Sequence, residues 1–395
     1  MKITSVEIVP INQDHKGKLI FSSGPTPAYN AFILVRIKTD EGFEGIGSGC
    51  SFTPPPLLAR GCSRESALYI LKDLSSILIG KDPMRLSLLI EQLERAIGGW
   101  FTENWYLLSH IDMALYDLKA KILNIPVYEL LGGAQREQID SEWIQSFSPT
   151  PEEAAEEVKR YVDAGFKAIK LHVNNDVVNA EARVKAVRKQ IGDDIPLAID
   201  MGMMYTAMDA ARLLNKLDSE YNLNFAEQPL HPYDLNGMLK LRQQTAVPLT
   251  ADHSGMSLSQ AYENMKLNVF DNFHCMFGRV GGFSRSVKYA DMMETAKLSY
   301  QICNEAATIG GTAAAHLAVT RKDRGKFHDE LALYLYVHGT TDTKSIEDDI
   351  VKEQSLVIEN GTLQCLPKGP GLGLELDEDM VKRFTAPGWE PIVVS

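Results

Sequence analysis

Cysteine is scarce in this chain. Its five residues (Cys50, Cys62, Cys275, Cys303 and Cys365) contain no CxxC pair and are odd in number. That excludes a disulfide framework and a CxxC zinc ribbon, and it reads as the reduced thiols of a cytoplasmic protein. Long apolar runs are also missing, so no segment reaches the length of a membrane span. The opening MKITSVEIVPI is strand-like and lacks the apolar core of a signal peptide. Positive charge is in deficit, with a net charge of −12. Neither nucleic acid nor an anionic membrane surface is therefore the expected partner, and a small anionic substrate would need local relief from a metal or lysines. What remains is ordinary globular material, 45% hydrophobic and 23% charged. A chain of 395 residues calls for one large domain plus a smaller one.

Residues 1–50 read as strands, VEIVP and AFILVRI, with the turn TDEGFEGIG after the second. The polar, Gly/Pro-rich stretch from His15 to Tyr29 reads as a loop, and Ser51 to Pro56 as another. Helical patterns follow from about Arg64 to Ile122, with Ile111, Leu115, Leu118 and Ile122 on one face. From about Gln138 the texture becomes alternating short strands and amphipathic helices. Thr150, Pro151 and Glu153 form a capping box that opens the first of these helices, and Gly165 ends it. Strands are expected at Ser141–Gln145, Ala168–Val173, Pro196–Met201, Asn224–Gln228, Pro248–Asp252, Asn272–Met276, Tyr300–Asn304 and near Glu330. Eight is the number that closes a parallel barrel.

Three of those strands end in an acid: Asp200 in PLAID, Glu227 in LNFAE and Asp252 in PLTAD. The acids recur about every 26 residues, roughly one βα unit, so in a barrel all three carboxylates emerge at the same C-terminal rim. One acid at a strand–loop junction is more often solvated surface. Three at equivalent places repel one another strongly unless a cation sits among them, and hard oxygen donors in that number suit Mg²⁺.

Several longer segments carry a resemblance. HIDMALYDLKAKILNIPVYELLGG (His110 to Gly133), FAEQPLHPYDLNGMLKLRQQTAVPLTADH (Phe225 to His253), VGGFS (Val280 to Ser284), AAAHLAV (Ala313 to Val319) and GPGLGLELDED (Gly369 to Asp379) occur in order. Over essentially its whole length the chain resembles the enolase superfamily, specifically the mandelate racemase and muconate lactonizing group. The resemblance implies an α/β fold, a modified TIM barrel (β/α)₇β with an N-terminal α+β capping domain. The expected division is residues 1–130 for the cap, 131–358 for the barrel and 359–395 for a C-terminal segment that packs back on the cap. It further implies Mg²⁺ held by Asp200, Glu227 and Asp252, a small carboxylate substrate that loses its α-proton, and a homo-oligomer. Residues 15–29 and 51–56 would correspond to the family's substrate-covering loops.

The second strand of the family usually carries Lys-x-Lys, whereas AIKLHV offers Lys170 and His172. These stand at i and i+2 and so point to the same side. His172 takes the usual base position, and its intrinsic pKa suits a general base near neutrality. Lys170 is expected to stay charged and to assist it. On the opposite face the chain departs from the family. Some members have a lysine on the sixth strand, others an aspartate there with a histidine on the seventh. Met276 and Cys303 align with those places, so two-base racemisation is not expected. His253, directly after the third acid, resembles an arrangement in the acid-sugar dehydratases and is the candidate acid. Asn304 and Glu305 fall at the seventh strand's rim, and Glu330 near a place where the family often has a substrate-binding glutamate. His316 lies on an apolar helical stretch and reads as a packing histidine. The expected activity is that of a Mg²⁺-dependent lyase dehydrating a sugar acid to a 2-keto-3-deoxy acid. The alternatives are a cycloisomerase or epimerase using the same enolate, and a metal-binding barrel that has lost catalysis.

Overall fold

Strand Ile3–Asp14 pairs antiparallel with Tyr29–Thr39, Ile8 opposite Val35 and Val6 opposite Ile37. Glu44–Gly47 lies on the outer side of the second of these, and the C-terminal strand Ile392–Val394 pairs with the first. The computed structural model describes residues 1–17, 20–21, 24–25, 29–49, 63–98, 104–304, 307–325 and 327–395. Residues 51–56, 18–19, 22–23 and 26–28 of the 15–29 stretch, Cys50, Cys62 and Glu305 therefore lie outside the described residues.

One face of this sheet buries Val6, Ile8, Ile33, Val35 and Ile37 against helices Arg64–Ser76, Leu86–Ile97 and Trp105–Leu123. The third helix is buried over most of its surface because it has two neighbours. Ile111, Leu115 and Leu118 join the core of the cap, while Met113 and Ala120 join that of the barrel. Glycines at 45 and 47 allow the outer strand to lie directly on this helix. A Cβ at either would stand 2.2 Å from the carbonyl oxygen of Ala114 or His110. Asp117, fully buried on the same helix, accepts from the backbone N–H of Ile46 (2.8 Å) and of Leu372 (2.7 Å). One side chain thus joins the cap, the helix and the C-terminal segment.

Among the described residues a seven-stranded, all-parallel sheet runs Glu142–Gln145, Ala168–His172, Leu197–Asp200, Leu223–Glu227, Leu249–Ala251, Asn272–Met276 and Ser299–Cys303 in chain order. It closes through an eighth, two-residue segment. Parallel bridges join Ser141 to Asp329 and Cys303 to Glu330. The Asp329 carboxylate accepts from the N–H of Ile302 (2.7 Å) and pairs with Arg136 (2.7 Å) and Arg324. The fold is therefore α/β, a curled (β/α)₇β barrel with an N-terminal α+β cap. The helix opened by Thr150 shows its capping box in full, the Thr150 hydroxyl accepting from Glu153 N–H and the Glu153 carboxylate from Thr150 N–H.

His316 is a packing histidine. It is fully buried, stacks on Tyr128, and its Nδ1 accepts from the Tyr128 N–H at 3.2 Å while Nε2 faces the Leu372 carbonyl at 3.3 Å. Burial pulls its pKa down from 6.5 to about 4. The unfolded chain therefore binds the extra proton between those values, and stability drops as pH falls from about 6.5 to 4, by up to about 3 kcal/mol. His316→Gln retains one acceptor and one donor but does not titrate. Its melting temperature is expected to fall less than that of the wild type over this window, and equal falls would exclude His316 as a source of acid sensitivity.

Candidate active site

The site is assembled where the second to fifth barrel strands end. Lys170 and His172 alternate with outward-facing neighbours on strand Ala168–His172, so both side chains enter the barrel mouth. The ladder aligns His172 with Asp200 and Asp200 with Glu227. A recurring spacing in the chain thus becomes a cluster in space.

Lys170 is buried, with its ammonium 2.5 Å from Glu227 Oε2 and in contact with Glu330. Burial opposes its charge, but the carboxylates of Glu227, Glu330 and Glu142 outweigh it and hold the pKa well above the usual lysine range. The lysine is therefore a fixed cation. His172 places Nδ1 2.6 Å from the Gln145 carbonyl and Nε2 3.2 Å from Asp200 Oδ2. A carbonyl can only accept, so Nδ1 carries the hydrogen and Nε2 faces Asp200. Buried Arg183 braces this corner. It donates to the carbonyl of His172 (3.2 Å), the carbonyl of Ser148 (2.6 Å) and the side-chain oxygen of Gln145 (3.3 Å).

The three expected acids converge, and their surroundings set them apart. Burial would raise Asp200, but the His172 hydrogen bond and charge bring it down to about 2. Asp252, likewise opposed by burial, is held well below the carboxylate range by His253 Nδ1 at 2.7 Å and Arg279 at 3.5 Å. Glu227 goes the other way, pushed well above its ordinary value by burial and then by the charge of Asp200, with Asp252 adding to it. Three crowded carboxylates, Glu227 and Asp252 buried and Asp200 partly so, cannot all ionise comfortably, and with the buried Oδ1 of Asp252 lacking a hydrogen-bond partner they are what a divalent cation would satisfy. Carboxylate oxygens of this kind, Glu227 and Asp252 among them, could hold a divalent cation such as Mg²⁺.

His253 stands at the rim about one-third exposed, beside Asp252. Glu330 is not at the open rim; it is buried on Lys170. Asn304 is also buried and turns its amide to the Leu331 carbonyl at 2.9 Å, and no described contact ties it to the acids. Opposite His172, Met276 and Cys303 are both buried, and burial pushes the Cys303 thiol far up, so neither accepts a proton near neutrality.

Four participants escaped the sequence reading. Glu142 lies inside the barrel near Lys170 and Glu330, and its signal was a charge in the otherwise uncharged strand EWIQ. Arg279 reaches Asp252 from a short helix, Phe277–Val280, with no pattern to announce it. Gln228, at φ +37°, accepts from the N–H of Asp252 (3.2 Å) and of Ser254 (2.9 Å), which fixes where the third acid points. Arg183 is the fourth, hidden among the polar positions of an amphipathic helix.

A parallel barrel with carboxylates ending three consecutive strands, under an α+β cap, defines a class of capped-barrel proteins. The chain belongs to the mandelate racemase/muconate lactonizing enzyme family of the enolase superfamily. Residues 8–132 match the family's N-terminal domain and residues 153–380 its enolase C-terminal domain-like region. It is 28% identical to the N-succinyl-L-Arg/Lys racemase of Bacillus cereus, covering 98% of both chains. Identity is 27% to a chloromuconate cycloisomerase of Pseudomonas putida, over 98% of this chain and 100% of that one. It is also 27% to a D-galactonate dehydratase of Xanthomonas euvesicatoria, over 91% and 92%. The crystal structure of a mandelate racemase/muconate lactonizing family protein from Azoarcus sp. EbN1 superposes with a TM-score of 0.89 at 28% identity, covering all of both chains. Relatives of this chain are thus isomerases and a dehydratase. No helix among the described residues is long and apolar enough to cross a membrane.

Proposed function

We propose that the protein removes the proton α to the carboxylate of a small acid by a one-base route, and that its reaction is the dehydration of a sugar acid to a 2-keto-3-deoxy acid. The observation that carries this is the asymmetry of the mouth. An oriented imidazole, His172, lies on one side, and the non-basic pair Met276 and Cys303 occupies the other. Racemisation needs a proton acceptor and donor on both faces of the carbon, whereas a syn elimination needs one.

In this reading His172 Nε2 takes the α-proton, and Asp200 at 3.2 Å stabilises the imidazolium that forms. Lys170, permanently charged, offsets negative charge accumulating on the substrate carboxylate. Asp200, Glu227 and Asp252 would hold Mg²⁺, which would supply Lewis-acid stabilisation of that same charge. His253, on the outer side of Asp252, is placed to protonate a departing β-hydroxide. Glu330 stays on Lys170, while Asn304 and Glu305 remain candidates for substrate contacts at the seventh strand. A cycloisomerase also works from one face, and the likeness to a chloromuconate cycloisomerase favours it as the second reading.

The test is a sugar-acid library with and without Mg²⁺, read for 2-keto-3-deoxy acids. Mg²⁺-dependent product is the expected result. If no acid loses water, but a carboxylate exchanges its α-hydrogen with deuterium or yields an isomer, the elimination is wrong and the isomerase reading takes its place.

A further inference from the structure

We propose that His274 is a fourth protein ligand of the cation, bound through Nδ1, and that it tilts the site toward Mn²⁺ or Co²⁺ over Mg²⁺. The inference rests on the reading of Asp200, Glu227 and Asp252 as a cation site.

Position comes first. The fifth and sixth strands pair with Thr250 beside Asn272 and Ala251 beside Phe273, so the next step brings Asp252 beside His274. His274 is buried, with Nδ1 3.6 Å from Glu227 Oε2. One donor atom each from Glu227, Asp252 and His274 lie within 4.8 Å of one another. Two donors at about 2.1 Å from one ion and at right angles are about 3 Å apart, and opposed donors about 4 Å, so the group has the dimensions of one coordination shell.

The tautomer comes second. The Gln301 amide donates to the His328 carbonyl at 2.5 Å, and a carbonyl only accepts, so the amide orientation is determined. Its oxygen, Oε1, is then turned inward, where it accepts from Asn272 Nδ2 at 2.6 Å and faces His274 Nε2 at 3.0 Å. That contact requires a hydrogen on Nε2. With Nε2 bearing that hydrogen, the neutral ring carries its lone pair on Nδ1, directed among carboxylates. A lone pair facing carboxylate oxygens is repulsive by itself, and a cation between them reverses the sign. A metal-bound histidine typically has its second N–H anchored on a carbonyl or carboxylate oxygen, as Gln301 provides here. An imidazole in an otherwise all-oxygen shell favours later first-row ions over Mg²⁺.

The decisive measurement is pulsed electron paramagnetic resonance on the metal-stripped full chain reloaded with Mn²⁺, with calorimetric affinities for Mn²⁺ and Mg²⁺ alongside. The expected spectrum shows a directly coupled histidine nitrogen that disappears in His274→Asn. In that variant Mn²⁺ affinity should fall by roughly tenfold or more, with Mg²⁺ affinity changing much less. Mn²⁺ bound by the wild type without nitrogen coupling, or a coupling that persists in His274→Asn, overturns the assignment and leaves the carboxylate site standing. Should the variant fold poorly, the wild-type spectrum alone still decides against it. Absence of any divalent cation binding by the wild type overturns the cation site itself, and this proposal with it.

Discussion

His172→Asn is expected to lower solvent exchange of the substrate α-hydrogen by about 10²- to 10⁴-fold, the usual worth of a positioned general base. Cation binding and the melting temperature are expected to change little. The loss should be in kcat, because the imidazole acts on the proton in flight and carries no charge the ground-state carboxylate needs. Deuterium exchange at the α-carbon of any acid the wild type turns over, followed by NMR, is the measurement. Unchanged exchange would shift the base to another group, with His253 the first to examine. Lys170→Met provides the contrast. It leaves Glu227, Glu330 and Glu142 around a missing ammonium, so the expected result is a folding penalty of about 3–5 kcal/mol in addition to lost activity. Lysine and histidine two residues apart on one strand are thus separable by whether stability suffers.

Glu227→Gln is expected to act on metal-free and metal-loaded protein in opposite ways. Without metal, Glu227 is the carboxyl that burial, Asp200 and Asp252 push well above its ordinary range. Neutralising it relieves repulsion, while Lys170 keeps Glu330 and Glu142 as counter-charges. The metal-free variant should therefore be as stable as the wild type or more so. With divalent cation at 100 times its Kd, the wild type gains about 2.7 kcal/mol by mass action, and the variant should gain almost none. Thermal unfolding with and without added Mg²⁺ reads both effects. A variant that is strongly destabilised without metal and still gains from Mg²⁺ would remove Glu227 from the ligand set.

The parts of this protein that were legible in the chain are those written in short-range pattern. The Thr150 capping box formed as read because its partners are three residues apart, within one helical turn. The strands at Ala168, Asn272 and Ser299 were visible as apolar runs between turn signals, although the reading at 64–122 did not resolve three separate helices. Asp200, Glu227 and Asp252 could be selected because the barrel repeats, and a repeat puts equivalent positions on one rim.

What the pattern lacked was lateral. Nothing local in NFHCM links His274 to the acids, yet the parallel register between the fifth and sixth strands brings it close to Glu227 and Asp252. Glu330 meets Lys170 across the barrel, 160 positions away in the chain. Glu142, Arg183, Gln228 and Arg279 act through partners that local periodicity cannot name. By itself, the sequence determined a capped barrel with three acids at its rim and a Lys-x-His pair aimed into its mouth. Only the tertiary structure decided which acid is strained, which lysine partners it keeps, and which nitrogen of each histidine bears the proton. The physical reason is that periodicity sets which way a side chain points, whereas its charge and its hydrogen belong to neighbours brought in by strand register and barrel closure.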